Sequence, residues 1–227
     1  MRKLTLELAS EGPAVGPTSV SALFSRPDDA DVLLVLAHGA GAGMHHSFMQ
    51  ALAERLVACR VAVLRYQFAY MEAGRRRTDA PARAHAAVAA ACAAATANAP
   101  DLPCFAGGKS FGGRMTSQLA ATSALPNVRG LVFFGFPLHP AKKPSQKRAE
   151  HLAQVTQPML FLSGTRDALA ELSLLEPLVR RLGARATLAL VEGADHGFSV
   201  LKRSGRTDDE VLDELAERAA SWMRSHG

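Results

Sequence analysis

Leu102-Pro103-Cys104-Phe105-Ala106-Gly107-Gly108-Lys109-Ser110-Phe111-Gly112-Gly113-Arg114 decides how this chain is read. Leu102 to Ala106 reads as a strand, and Phe111 to Thr122 as a helix. Between them stands Gly108-x-Ser110-x-Gly112, the pattern that lifts a serine hydroxyl above the end of a sheet on a tight strand-to-helix turn. Glycines two positions before and after the serine let neighbouring backbone approach, and Gly107 and Gly113 double that provision. The helix that follows aims its N-terminal amides at the site, which favours a developing negative charge. Gly108-Lys109-Ser110 also matches the end of a phosphate-binding loop, but the earlier glycine which that motif requires falls at Pro103. Ser110 is the candidate nucleophile.

Outward from this turn, strands and helices alternate. Leu4 to Leu8 and Val20 to Phe24 read as an antiparallel opening pair, separated by a Gly/Pro turn from Gly12 to Pro17. Asp31 to Ala37 is a nearly continuous apolar run of the kind buried on both faces of a parallel sheet. Val61 to Tyr66, Val128 to Phe134, Met159 to Leu162 and Thr187 to Val191 supply further strands. Helices are expected over Ser47 to Cys59 with Ser47 as N-cap, Ala82 to Ala97, Ala168 to Leu182, and Asp208 to Met223. In the last of these Val211, Leu212, Leu215, Ala219 and Trp222 share one face. Such alternation implies an α/β sandwich with a mostly parallel sheet flanked by helices. With no internal repeat and no linker, residues 1–227 are expected to form one domain.

A serine nucleophile needs a base, and on this kind of scaffold the partners follow in the order Ser, Asp or Glu, His. His196 lies in Glu192-Gly193-Ala194-Asp195-His196-Gly197-Phe198, directly after the last strand, and is the candidate base. Ser163-Gly164-Thr165-Arg166-Asp167 follows the strand before it, which makes Asp167 the carboxylate that orients the imidazole. Asp195 is read as a turn residue, because a neighbour in sequence cannot readily fold back onto the ring. An oxyanion site needs backbone donors. Phe111 supplies one, and the loop His38-Gly39-Ala40-Gly41-Ala42-Gly43 the other, with Ala40 first and Gly41 second. That loop is not a dinucleotide fingerprint, since position 44 is Met and no acidic residue ends the next strand. His38 is read as a brace. His45 and His46 have no carboxylate or cysteine at ligand spacing, so neither a metal nor a cofactor is expected.

Three scattered cysteines (Cys59, Cys92, Cys104) lack metal spacing and suggest free thiols in a reducing cytoplasm. Met1-Arg2-Lys3-Leu4-Thr5 has no apolar run behind it, so no signal peptide is expected; nor is any run long enough for a membrane span. The formal charge of +5 gathers in Arg75-Arg76-Arg77 and in Lys142-Lys143 with Lys147-Arg148. Neither run is interleaved with aromatics, which argues against nucleic acid and for a solvated face or a site mouth favouring anions.

Several stretches together resemble the α/β-hydrolases, in particular the small dienelactone-hydrolase-like branch with the testis-expressed and histone-acetyltransferase-complex-associated hydrolase-like proteins. They are His38-Gly39-Ala40-Gly41 with Met44 and Phe48-Met49, Arg65-Tyr66-Gln67-Phe68-Ala69-Tyr70 with Gly74-Arg75-Arg76, and Gly107 to Arg114. Gly164-Thr165-Arg166-Asp167 with Asp195-His196, and Pro137-Leu138-His139-Pro140, complete the set. The resemblance implies an α/β-hydrolase fold. Dienelactone hydrolases proper use a cysteine nucleophile, from which Ser110 departs. Leu138 to Gln157 is too short for a cap domain, so an open site is expected, suited to small esters or an exposed acyl group. Gly41, Arg75, Lys109 and His139 are candidate substrate contacts, and an anionic substrate fits the basic runs. The expected activity is hydrolysis of a carboxylic ester or thioester through an acyl-serine, by a monomer or homodimer with a small-molecule partner. The alternatives are acyl transfer to another acceptor, or a non-catalytic interaction scaffold, since part of the resembling branch belongs to a regulatory complex.

Overall fold

The apolar runs over 32–37 and 61–66 are buried along their whole length, as strands covered on both faces must be. The chain's computed structural model describes residues 1–9, 16–122, 125 and 127–227. Of the turn expected from Gly12 to Pro17, residues 12–15 lie outside the described ones. Among the described residues eight strands form one sheet: β1 (Arg2–Glu7), β2 (Ser19–Ser25), β3 (Val32–Ala37), β4 (Val61–Tyr66), β5 (Cys104–Lys109), β6 (Val128–Phe134), β7 (Met159–Gly164) and β8 (Ala186–Val191). Their order across the sheet is β1-β2-β4-β3-β5-β6-β7-β8. β1 pairs antiparallel with β2, and β2 antiparallel with β4, while every pairing from β4 to β8 is parallel.

Helices cover both faces. α3 (Pro81–Asn98), α4 (Phe111–Thr122) and α5 (Leu172–Leu182) pack on one, through Ala84, Val88, Met115 and Leu175 among others. α1 (Ser47–Ala58) and α6 (Asp208–Arg224) pack on the other, through Leu52, Leu56, Leu215 and Trp222. A single turn, α2 (Ala69–Glu72), follows β4 and has no counterpart in the sequence reading. The order reverses at β3: the chain goes from β3 outward to β4, then crosses to β3's other side for β5. A crevice above the carboxyl ends of β3 and β5 is where such sheets place their ligands.

Three of the boundaries that differ from expectation have a visible cause. β5 runs on to Lys109, because Gly107 and Gly108 pair with Leu36 and Ala37 of β3 despite poor strand propensity. α1 is capped by His46, whose Nδ1 accepts from the Phe48 amide at 3.2 Å, and Ser47 is its first residue. α5 begins at Leu172 rather than Ala168. There the Asp167 carboxylate takes the Leu169 amide at 2.7 Å, and the Leu169 carbonyl accepts from Leu138 and His139. Those groups are therefore lost to a helical ladder. Between β6 and β7 a 3-10 helix, Lys147–Gln154, is the only regular element among the described residues, so nothing caps the sheet there. No helix of the described residues is long and apolar enough to cross a membrane.

Candidate active site

Ser110 sits between the last residue of β5 and the first of α4 with φ of 49°, a left-handed conformation that a serine adopts under constraint. Its amide donates to the Phe134 carbonyl at 3.2 Å and its carbonyl accepts from the Arg114 amide at 3.1 Å, which fixes the turn at both ends. Gly108 has φ of 151°, and a Cβ there would lie 2.2 Å from the Ala37 carbonyl oxygen. The elbow is thus pressed against the end of β3.

Beyond β8, His196 reaches back over this turn. Its Nε2 is 2.9 Å from Ser110 Oγ, and its Nδ1 is 2.8 Å from Asp167 Oδ2. Asp167 is 3% exposed, and its second oxygen accepts from Leu169. A carboxylate at Nδ1 requires the proton on that nitrogen, which leaves the Nε2 lone pair facing the serine hydroxyl. The loops carrying the two residues are tied together: the Arg166 amide donates to Ala194 O at 2.9 Å, and the Arg166 side chain to Gly193 O at 3.0 Å. Asp195 is a turn residue, its Oδ1 accepting from the amides of Gly197 and Ser199.

Phe111 opens α4, so its amide has no intrahelical acceptor. The Gly39 stretch runs alongside, since a Cβ on Gly39 would lie 3.9 Å from Ser110 Cβ. The Gly39 carbonyl accepts from His38 Nδ1 at 2.7 Å and from the Tyr70 hydroxyl at 3.3 Å. No peptide among the described residues is cis, so the Ala40 N–H, in the same peptide as that carbonyl, points away from His38 and Tyr70. The Tyr70 hydroxyl also donates to the Ala40 carbonyl at 3.0 Å, which turns the Gly41 N–H the same way.

His38, read as a brace, does hold this loop, and the sequence reading missed the residues that join it. His38 Nε2 accepts from the Phe68 amide at 3.0 Å, and burial keeps the ring neutral by lowering its pKa to about 4. The Gln67 side chain accepts from the Met44 amide at 2.8 Å, and Arg65 Nη1 donates to the Met44 carbonyl at 3.1 Å. Arg65, Gln67, Phe68 and Tyr70 thus all brace the 38–44 loop, and the only hint of this in the sequence is their belonging to one family-like stretch.

The four candidate substrate contacts have different fates. A Cβ on Gly41 would meet nothing within 4 Å, so that position borders open space. Arg75 is engaged with buried Asp79 at 2.8 Å, and Asp79 also takes the Tyr70 amide at 2.9 Å. His139 is buried, with Nδ1 3.0 Å from the Pro140 carbonyl. Lys109 turns inward: its Nζ donates to the His196 carbonyl and lies 4.7 Å and 5.5 Å from the ring centres of Phe198 and Phe48. Among the described residues no three His, Cys, Asp or Glu side chains are grouped to hold a metal ion.

Burial pushes the Lys109 pKa down to about 8 from its ordinary 10.5, against the pull of Asp167 and Asp195. The folded chain therefore releases this proton before the unfolded chain does. Stability contributed by the group rises with pH between the two values, and below the lower one the charged side chain is a net burden. Lys109→Met is expected to be about 1–2 kcal/mol more stable at pH 7 in urea unfolding, after discounting for partial exposure and lost ring contacts. The variant should also lose the native chain's gain in stability between pH 8 and pH 10. An unchanged pH profile in the variant would remove Lys109 as its source.

Solved structures share this architecture. Dienelactone hydrolase from Anabaena variabilis superposes with a TM-score of 0.74 at 19% identity, covering 99% of this chain and 98% of that one. A lidless α/β serine hydrolase from Xanthomonas campestris gives 0.72 at 19% identity, with 97% and 94% covered. An α/β serine hydrolase homologue from Coxiella burnetii gives 0.71 at 19% identity, with 96% of each chain covered. At such identity the likeness establishes the α/β-hydrolase fold, and all three structures carry the name of a hydrolase or a hydrolase homologue. Residues 30–224 match the family described as alpha/beta hydrolase domain, and the chain belongs to that family.

Proposed function

We propose that the chain is a serine hydrolase that cleaves a carboxylic ester or thioester through an acyl-Ser110 intermediate, with residues 1–227 acting as one α/β-hydrolase domain. The observation that carries this reading is the continuous line Asp167 Oδ2, His196, Ser110 Oγ, with spacings of 2.8 Å and 2.9 Å. In the first half-reaction Ser110 Oγ attacks the acyl carbon while His196 Nε2 takes the hydroxyl proton. The buried Asp167 carboxylate stabilises the imidazolium that results. The carbonyl oxygen, now anionic, is received by the amides of Phe111 and Ala40. Collapse expels the alcohol or thiol, which leaves with the proton from Nε2. In the second half-reaction His196 deprotonates water, the hydroxide attacks the acyl-serine, and the acid departs with the serine hydroxyl restored. Free thiols at Cys59, Cys92 and Cys104 support a reducing compartment such as the cytoplasm.

A fluorophosphonate probe tests the nucleophile. The native chain is expected to become labelled, and folded Ser110→Ala to stay unlabelled; an unlabelled native chain sinks the reading. Without a cap to cover an extended chain, p-nitrophenyl acetate and butyrate should be hydrolysed with higher kcat/KM than the laurate. A clear preference for laurate would contradict the open site.

A further inference from the structure

A cavity of about 420 Å³ is walled by Arg114 and Gln118 of α4 and by residues of the segment 138–148, and the proposed hydrolysis does not use it. Arg114, Lys143, Lys147 and Arg148 line it, together with buried His139, and no Asp or Glu does. Among the described residues none of these four cations is in a salt bridge.

Three buried polar atoms in the lining are also unmatched. Arg114 Nε, Gln118 Oε1 and His139 Nε2 have no hydrogen-bond partner; the Gln118 oxygen can only accept, and Arg114 Nε–H can only donate. An unanswered buried donor on a charged group is unfavourable unless something supplies an acceptor. Burial and the neighbouring Arg148 both lower the pKa of Arg114, as expected where like charges converge with no anion between them.

The cavity is coupled to the nucleophile. Arg114 stands with its guanidinium carbon 5.8 Å from the centre of the Phe111 ring, and its own amide holds the Ser110 carbonyl. On the other wall Leu138 and His139 follow the β6 end, where a Cβ on Gly135 would come within 3.4 Å of the His196 ring. Arg114 thus joins the cavity wall to the turn that carries Ser110.

We infer that this cavity is an anion-recognition site, and that the ester or thioester hydrolysed at Ser110 carries a carboxylate or phosphate group remote from the scissile carbonyl. The inference rests on the hydrolase reading, and it narrows that reading to a substrate class. Arginine forks and lysine ammonium groups bind such anions by charge-assisted hydrogen bonds, and a cavity of this size admits the anion with a short linker.

Two measurements test it. The first compares mono-p-nitrophenyl glutarate with p-nitrophenyl pentanoate, a neutral ester of matched length, and adds 4-carboxyphenyl acetate to place the anion on the leaving group. One of the anionic esters should be favoured over its neutral partner by about tenfold or more in kcat/KM, and Arg148→Glu should erase that ratio. The second is calorimetric titration of the native chain with inorganic phosphate and with glutarate, which tells which anion is preferred and needs no turnover. Binding should weaken by about tenfold or more in Arg148→Glu and in the Lys143→Ala, Lys147→Ala double variant. Anion binding that leaves the ester ratio unmoved overturns the substrate assignment, and absence of binding with no ratio overturns the site itself. If no ester is turned over, the hydrolase reading has failed. Phosphate binding lost in Arg148→Glu would then still establish the anion site, and its absence would eliminate it.

Discussion

Folded Ser110→Ala is expected to hydrolyse p-nitrophenyl acetate about 10⁴-fold or more slowly than the native chain in kcat, because the atom that forms the acyl bond is gone. What should survive is the contribution of the proposed oxyanion site at Phe111 and Ala40 and of substrate binding. His196→Ala should fall by a similar factor, since a serine hydroxyl without its base is a poor nucleophile at neutral pH. Combining the two changes should lower the rate little further. In the proposed mechanism Oγ and Nε2, 2.9 Å apart, act in one step, so removing either removes that step. Asp167→Asn should cost less than either, because its task is to orient and stabilise the ring rather than to exchange the proton. Steady-state kinetics on the four proteins, with circular dichroism to establish folding, checks the order. Losses that multiply in the double variant would mean that Ser110 and His196 do not share a step.

The positions of Ser110, Asp167 and His196 could be read in the sequence because each directly follows a strand visible as an apolar run. A parallel sheet delivers all such loops to the same edge. The loop at 38–44 could be placed for the same reason, following β3. Of its bracing, only His38 could be read. Arg65, Gln67 and Phe68 reach it only because β4 pairs with β3 in the register that sets Tyr66 beside Ala37, and a register is a property of two strands. The surroundings of Lys109 could not be read for a related reason. Next to the nucleophile in sequence, it suggests a substrate contact, yet the left-handed turn at Ser110 sends the two side chains to different surroundings. Lys109 instead finds the His196 carbonyl and two rings. The start of α5 was misplaced because Asp167, an ordinary residue near a helix start, here serves Leu169 and His196 together. In each case a tertiary partner overrode a local preference that the sequence shows correctly.

The same packing predicts that Gly107→Ala will damage the whole molecule although residue 107 bears no functional group. Gly107 lies in β5 opposite Val132 of β6, and a Cβ there would stand 1.8 Å from the Val132 carbonyl oxygen and 2.9 Å from its amide nitrogen. No rotamer relieves this clash, because an alanine methyl has nowhere to turn and the obstacle is backbone. β5 and β6 must separate at the centre of the sheet, where their hydrogen bonds and the buried side chains of Phe105 and Phe133 depend on the close approach. Overpacking of this kind, aggravated by lost ladder bonds, should destabilise the fold by about 3–5 kcal/mol. Urea unfolding at fixed pH reads this directly as a fall in the midpoint. Gly41→Ala is the matched control, since its Cβ would meet nothing within 4 Å, and its midpoint should stay with that of the native chain. Because β5 carries Ser110 at its end, any Gly107→Ala protein that folds should also have lost most of its activity. A native-like midpoint for Gly107→Ala would mean that β5 and β6 are not pressed together as described, and the geometry of the elbow would have to be revised with them.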